Sequence, residues 1–198
     1  MTSFQLSFDY RCPFAKNIHL HVITALKGGA DYEVRFVPWT LGQGHRHEGA
    51  PDVWDDTEKD ADHLSMCVGV SLRDQQPERF LDAHAALFLA RHEGGRRLVT
   101  MEEIEDVLAP LGVDMEMVRA DVLSRRPHQV IRDSYQEFAR FEAFGVPTFV
   151  VGDDAIFVRY MTTPSDDAKA SMRVIDSILN LIELEPELNE FKHTQISR

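Results

Sequence analysis

The chain opens on an alternation, Phe4-Gln5-Leu6-Ser7-Phe8, that puts apolar side chains on one face of a strand running from Phe4 to Tyr10. From Cys12 the period changes to that of a helix. Ile18, Val22, Ala25 and Leu26 form one stripe, and Lys27 followed by Gly28-Gly29 supplies the stop. Tyr32-Glu33-Val34-Arg35-Phe36-Val37 alternates again and ends at Pro38, which has no N–H to give a sheet. A strand, a helix and a strand within about 35 residues make a crossover that predicts two parallel strands with the helix packed on one face.

Between Leu41 and Pro51 there is no periodicity, and the Gly and His content predicts a loop. Helical patterns follow. Pro77 to Arg91 gathers Phe80, Leu81, His84, Leu87 and Phe88 on one side; Thr100-Met101-Glu102-Glu103 is a capping box opening a helix to Leu108; Asp114 is placed to cap another. Ile131, Tyr135, Phe138 and Phe141 line a further helix, which Gly145 is expected to end. The strand signal returns at Thr148-Phe149-Val150-Val151, turns at Gly152-Asp153-Asp154 and resumes at Ala155-Ile156-Phe157-Val158, a β-hairpin. A last helix from about Ser165 carries Val174, Ile175, Ile178, Leu179 and Ile182 at core spacing, and the polar tail from Glu185 to Arg198 gives no element. The expected division is a β-rich unit, 1–50 with 145–198, interrupted by an all-helical insertion, 51–144.

Composition narrows the classes. With 198 residues and 43% hydrophobic content the chain can bury a core without disulfide staples, and 2 cysteines cannot form a framework. They point to a reducing compartment or to one chemically used thiol. The start has no signal-like segment and no stretch approaches the roughly 18 apolar residues of a membrane span, so a soluble, cytoplasmic protein with no membrane partner is expected. A net charge of −12, with basic residues no denser than Arg96-Arg97 and Arg125-Arg126, argues against nucleic acid.

The informative chemistry lies at Asp9-Tyr10-Arg11-Cys12-Pro13-Phe14-Ala15. A cysteine between a strand end and the first turn of a helix meets unpaired backbone N–H groups and the positive end of the helix dipole, which favour a thiolate. Arg11 and Lys16 add positive charge. Lowering an ordinary thiol by about two pH units makes the thiolate dominant near neutrality and corresponds to roughly 2.7 kcal/mol. Pro13 suits the first helical turn, where its missing N–H has no partner to lose. A buried structural cysteine is the competing reading. Phe144-Gly145-Val146-Pro147-Thr148-Phe149 places a proline between a helix stop and a strand, where a cis peptide bond is used deliberately.

These two stretches, in the order crossover, helical insertion, Val-Pro-Thr, hairpin and terminal helix, resemble the DsbA-like thioredoxin-fold family. That family includes the FrnE-type oxidoreductases, the 2-hydroxychromene-2-carboxylate isomerases and the kappa-class glutathione transferases. The resemblance runs from Phe4 to about Ile182 and implies an α/β thioredoxin fold with an all-helical insertion. It implies that Cys12 is the attacking cysteine and that Val146-Pro147 is the cis-proline dipeptide lying against it, its backbone pairing with substrate. Where a dithiol oxidase carries its resolving cysteine, this chain has Ala15. Without that thiol the intramolecular dithiol cycle is closed.

The expectation is therefore a thiol-dependent oxidoreductase acting through Cys12 alone. It has no tightly bound cofactor, and glutathione or mycothiol serves as co-substrate. Substrates are a small thiol and a disulfide or electrophile, held by Tyr10, Pro13, Phe14, Val146, Pro147 and Thr148. Two rivals stay open: a glutathione- or mycothiol-dependent isomerase or transferase, in whose relatives a Ser commonly stands at the position of Cys12, and a non-catalytic binding module. An acidic chain of this kind neither demands nor excludes a homodimer.

Other residues are weaker candidates. Cys67, among apolar neighbours, reads as buried filler rather than a resolving thiol. His45 and His47 have no further ligand at metal spacing, so no metal site is expected. His19 lies about 10 Å along the helix from Cys12, too far to be its base, and His19 and His21 read as packing or surface residues. Trp39 and Trp54 are candidates to cover the cleft. Asp55-Asp56 and Asp166-Asp167 read as solvated helix starts.

Overall fold

In the computed structural model, which describes residues 1–195, strand β1 (Thr2–Phe8) is followed by helix α1 (Pro13–Lys27) and strand β2 (Tyr32–Pro38). Six helices come next: α2 (Leu41–Gly44), α3 (Asp60–Gln75), α4 (Pro77–His92), α5 (Met101–Leu108), α6 (Met115–Leu123) and α7 (Arg126–Ala139). Strands β3 (Thr148–Val151) and β4 (Asp154–Phe157) and helix α8 (Ala168–Leu184) complete the order. Every element between β2 and β3 is helical, the insertion read from the sequence.

The sheet order is β2-β1-β3-β4, so β1 is interior. It pairs in parallel with β2, Thr2 opposite Tyr32 through Phe8 opposite Pro38, and antiparallel with β3, Leu6 opposite Phe149. The crossover accounts for the parallel pair, and the two-residue turn at Gly152 (φ +58°) and Asp153 for the antiparallel hairpin. Phe4, Leu6 and Phe8 of β1 and Ile18, Val22 and Ala25 of α1 are buried, as their spacing predicts. α1 packs on α8 and α4, and α7 packs on β2. Gly28 is needed for the first of these contacts, because a Cβ there would collide with that of Ala168.

The differences from the sequence reading have local causes. β1 stops at Phe8, and Asp9–Arg11 turn into α1. Leu41–Gly44 is a short helix instead of loop, because the Thr40 hydroxyl caps it by accepting from Gly42 N at 3.1 Å. α7 ends at Ala139, well before Gly145, and Glu142 follows in the left-handed region (φ +52°). α8 begins at Ala168, three residues later than expected, where the Asp167 carboxylate accepts from Lys169 N and Ala170 N. Asp56, Thr100 and Asp114 likewise cap the turns that follow them. In the tail, residues 185–195 form no helix or strand, and 196–198 lie outside the described residues.

Where the insertion meets the sheet, the core contains a closed chain of polar groups. The Ser7 carbonyl can only accept, so His19 donates to it from Nε2 (3.1 Å) and leaves Nδ1 to accept from His84 Nε2 (2.9 Å). His84 Nδ1 then accepts from the Tyr10 hydroxyl at 2.6 Å. Both rings are neutral, and every donor has one acceptor. Phe8, Phe36, Phe80 and Phe88 surround the His84 ring with centroids 4.8–5.4 Å away. Burial in this aromatic cage depresses both imidazoles, His19 to about 3. Gly69 of α3 makes the room: a Cβ there would lie 2.5 Å from the Tyr10 hydroxyl.

Because the unfolded chain takes up protons that the folded histidines refuse, the unfolding free energy is expected to fall as pH drops from 6.5 to 5. Tyr10→Phe, which orphans His84 Nδ1, should cost about 1–3 kcal/mol. Urea titrations across that range check both; a flat profile and an unchanged Tyr10→Phe protein would contradict the neutral chain.

Candidate active site

Cys12 is the N-cap of α1. Its backbone is extended (φ −93°, ψ 119°), its sulfur accepts from Ala15 N at 3.5 Å, and Pro13 opens the helix. The turn that delivers it is closed by Cys12 N donating to Asp9 O and fixed by a side-chain clamp. Asp9, itself buried, accepts at its carboxylate from Arg11 N (2.9 Å), Arg11 Nη2 (2.8 Å) and Leu41 N (2.9 Å). Burial alone would raise this carboxyl, but hydrogen bonds and charge from Arg11, with the Leu41 amide, bring it below its ordinary value. Arg11 also donates to the Thr40 hydroxyl, which is 2.8 Å from His63 Nε2.

Facing the thiol is the loop that enters β3. The Cys12 S–H donates to the Val146 carbonyl at 3.1 Å, and Val146–Pro147 is a cis peptide. Thr148 N donates to Ser7 Oγ at 2.8 Å and Thr148 Oγ1 to Gly145 O at 2.8 Å, so β1 and the loop are locked from both sides. Cys12, Val146, Pro147 and Thr148, remote in sequence, are thereby brought together. Thr148 spends its hydroxyl on the loop and is buried, as are Val146 and Pro147.

Residues 5–170 match the DSBA-like thioredoxin domain. The chain belongs to that family. Similar solved structures include a cytosolic disulfide reductase DsbM from Pseudomonas aeruginosa with GSH (17% identity, 90% of this chain and 100% of that one, TM-score 0.61). DsbA from the same organism is 22% identical (91% and 85% covered, TM-score 0.58). MdbA of Actinomyces oris, a thiol-disulfide oxidoreductase, is 18% identical (86% and 80% covered, TM-score 0.60). These likenesses establish the DsbA-like thioredoxin fold. No curated protein sequence matches the chain significantly.

Placed in this DSBA-like frame, the expected substrate residues divide. Pro13 is exposed and Phe14 half-buried, its ring 5.7 Å from the Arg159 guanidinium, so both are accessible to solvent beside Cys12. Tyr10 does not: it is 0% exposed, and its hydroxyl is committed to His84, so it cannot be a groove wall. Its carbonyl instead accepts from His92 Nε2 at 2.9 Å. Trp39 and Trp54 are also core residues, both packed on Tyr135 of α7. Phe144, 73% exposed beside Phe157, projects from the cis-proline loop, an apolar surface that the sequence motif contained but did not distinguish. On the other side of Arg11 is a cleft of about 500 Å³ lined by His45, Arg46, His47, Lys59 and His63.

The resting thiol is not the free thiolate expected from its place at a helix start. Cys12 is only 6% exposed; burial pushes it above an ordinary thiol, the Ala15 and Phe14 amides pull it down, and the Asp9 carboxylate pushes it up again. Dipole stabilisation at a helix terminus is about 0.3–1 kcal/mol, less than burial costs an anion. Cys67, in α3, is fully buried with its sulfur 3.6 Å from His128 Nε2, and burial pushes that thiol up to about 12. Both cysteines are free. His19 and His21 are buried packing residues. No described helix is long and apolar enough to cross a membrane.

Iodoacetamide alkylation of Cys12 in the resting protein is expected to have its midpoint above that of an ordinary exposed thiol and to move lower in Asp9→Asn, which removes the neighbouring charge. The same substitution should destabilise the fold by about 3 kcal/mol, because it breaks a buried ion pair. A wild-type midpoint below 7, read by mass spectrometry, would show that the helix start outweighs burial.

Proposed function

We propose that this DSBA-like protein is a thiol-dependent oxidoreductase that works through Cys12 alone, with glutathione or mycothiol completing the cycle. The observation that carries this reading is the pairing of Cys12 with the carbonyl before Pro147 while Ala15, three residues on, offers a methyl group and an amide but no second thiol. A dithiol relative would resolve its mixed disulfide at that place. Support for the small thiol comes from the similar fold of the disulfide reductase solved with GSH.

Cys12 first gives up the proton it shares with Val146 O, a step that follows when a substrate N–H occupies that carbonyl. The thiolate attacks one sulfur of a mixed disulfide, forming Cys12–S–S–R and expelling the other sulfur as a thiolate, which takes the proton. A small-thiol thiolate then attacks the R sulfur, breaking the Cys12–S–S–R bond, regenerating the Cys12 thiolate and leaving joined to R as a disulfide, so one free small thiol is consumed for each mixed disulfide reduced and, when R is the same small thiol, its symmetric disulfide is released. During attack the Ala15 and Phe14 amides hold the anion. Pro13, Phe14, Val146 and Pro147 form the substrate site, Phe14 through its ring and Val146 through its backbone, while Thr148, with amide and hydroxyl both committed, holds the cis-proline loop in place. The reading places the chain in a reducing compartment, where both free cysteines stay reduced.

Reduction of a glutathionylated peptide by the full chain with excess glutathione tests this. Cys12→Ser should abolish turnover, and Ala15→Cys should give an intramolecular disulfide absent from the parent. Mild oxidation of the wild type should leave one glutathionyl adduct on Cys12 and none on Cys67. Turnover of a small-molecule electrophile that survives in Cys12→Ser would favour an isomerase or transferase, and a two-dalton loss bridging Cys12 to Cys67 would overturn the monothiol cycle.

A further inference from the structure

α8 carries two apolar stripes. Ser171, Ile175, Leu179 and Ile182 face inward and are buried. The second stripe, Ala170, Val174, Ser177, Leu181 and Leu184, advances by four and three residues in turn, the spacing of a two-stranded coiled-coil seam. It opens outward toward its C-terminal end: Ala170 and Val174 are half-buried, Leu181 is 42% and Leu184 70% exposed, and Ala170, Val174, Ser177 and Leu181 line an open groove of about 620 Å³ along the helix. A 17-residue helix gives that seam a length of about 25 Å.

We infer that this face is where a second copy of the chain packs, with the two α8 helices antiparallel. Three features select that occupant. Within α8 the outer charge is segregated by half, Lys169 and Arg173 in its first two turns and Glu183 in its last, with Glu185 just beyond, all exposed; of the exposed acids that precede the helix, Asp166 and Asp167, the second is spent capping its first amides. None of Lys169, Arg173, Glu183 and Glu185 enters an ion pair among the described residues, whereas Asp176 between them is engaged by the Tyr32 hydroxyl. An antiparallel pair sets the basic half of each copy against the acidic half of the other, satisfying both ends twice through one two-fold axis, whereas a parallel pair sets like charges together. The small side chains Ala170 and Ser177 let the backbones approach, and antiparallel alignment also opposes the helix dipoles favourably. An arbitrary partner has no reason to match this pattern, but the chain's own α8 does.

Sedimentation velocity of the full-length protein over a wide concentration range tests the assignment. The wild type should form a dimer. Leu181→Glu, at an exposed position, and the surface double variant Lys169→Glu/Arg173→Glu should each weaken it about tenfold or more. Adding Glu183→Lys/Glu185→Lys to the double variant exchanges the halves and should restore it. Circular dichroism confirms that the variants stay folded. A monomer at every concentration, a dimer that either substitution leaves intact, or one that the exchanged charges fail to restore would overturn the proposal.

Discussion

The carboxylate of Asp9 ties together the end of β1, the turn that carries Cys12 and the start of the helical insertion, through N–H groups of Arg11 and Leu41. It is buried, so the arrangement is all or nothing: paired with Arg11 it is held ionised below its ordinary range, and unpaired it would be an isolated charge in the core. The thiol depends on this geometry. With Asp9 O accepting from Cys12 N, Cys12 must leave the strand at an angle that aims its sulfur at the Ala15 amide on one side and Val146 O on the other. Asp9 thus fixes the place of the thiol while its charge works against the thiolate.

The histidine chain anchors the insertion from behind the same turn. Tyr10 on the turn, His84 on α4 and His19 on α1 are joined end to end to the β1 carbonyl of Ser7, so the sheet, the first helix and the insertion meet in one set of directional bonds. Apolar packing alone would tolerate sliding of α4 against α1; a chain in which each nitrogen has one role does not. The neighbouring hydroxyl of Ser7 takes the Thr148 amide and carries the same fixation into the cis-proline loop.

In the proposed cycle, function turns on what stands beside Cys12. Ala15 presents a methyl group there and gives its amide to the Cys12 sulfur. The Cys12 thiol is shielded, burial raises it above an ordinary thiol, and it donates to the Val146 carbonyl. Both cysteines are buried, but their surroundings differ: Cys12 caps a helix and meets the Val146 carbonyl beside exposed Pro13, whereas Cys67 lies fully buried against His128.

Much of this was legible in the order of residues. Alternation in Phe4–Phe8 and Tyr32–Pro38 with one helix between them fixes parallel pairing; Thr100, Asp114 and Asp167 announce helix starts; Cys12-Pro13 at a strand-to-helix junction marks the reactive place. These are local signals, carried by side chains that act on their own backbone. The ionisation of Cys12 was not legible, because it depends on burial and on a carbonyl 134 residues away. Nor was the role of Tyr10, which by sequence flanks the thiol but turns its ring toward His84, across 74 residues and past a gap left by Gly69. The sequence by itself determined the order of strands and helices and the place of Cys12 at a strand-to-helix junction; only the tertiary structure decided protonation, exposure and partners, because those depend on which distant groups exclude water from the same few ångströms.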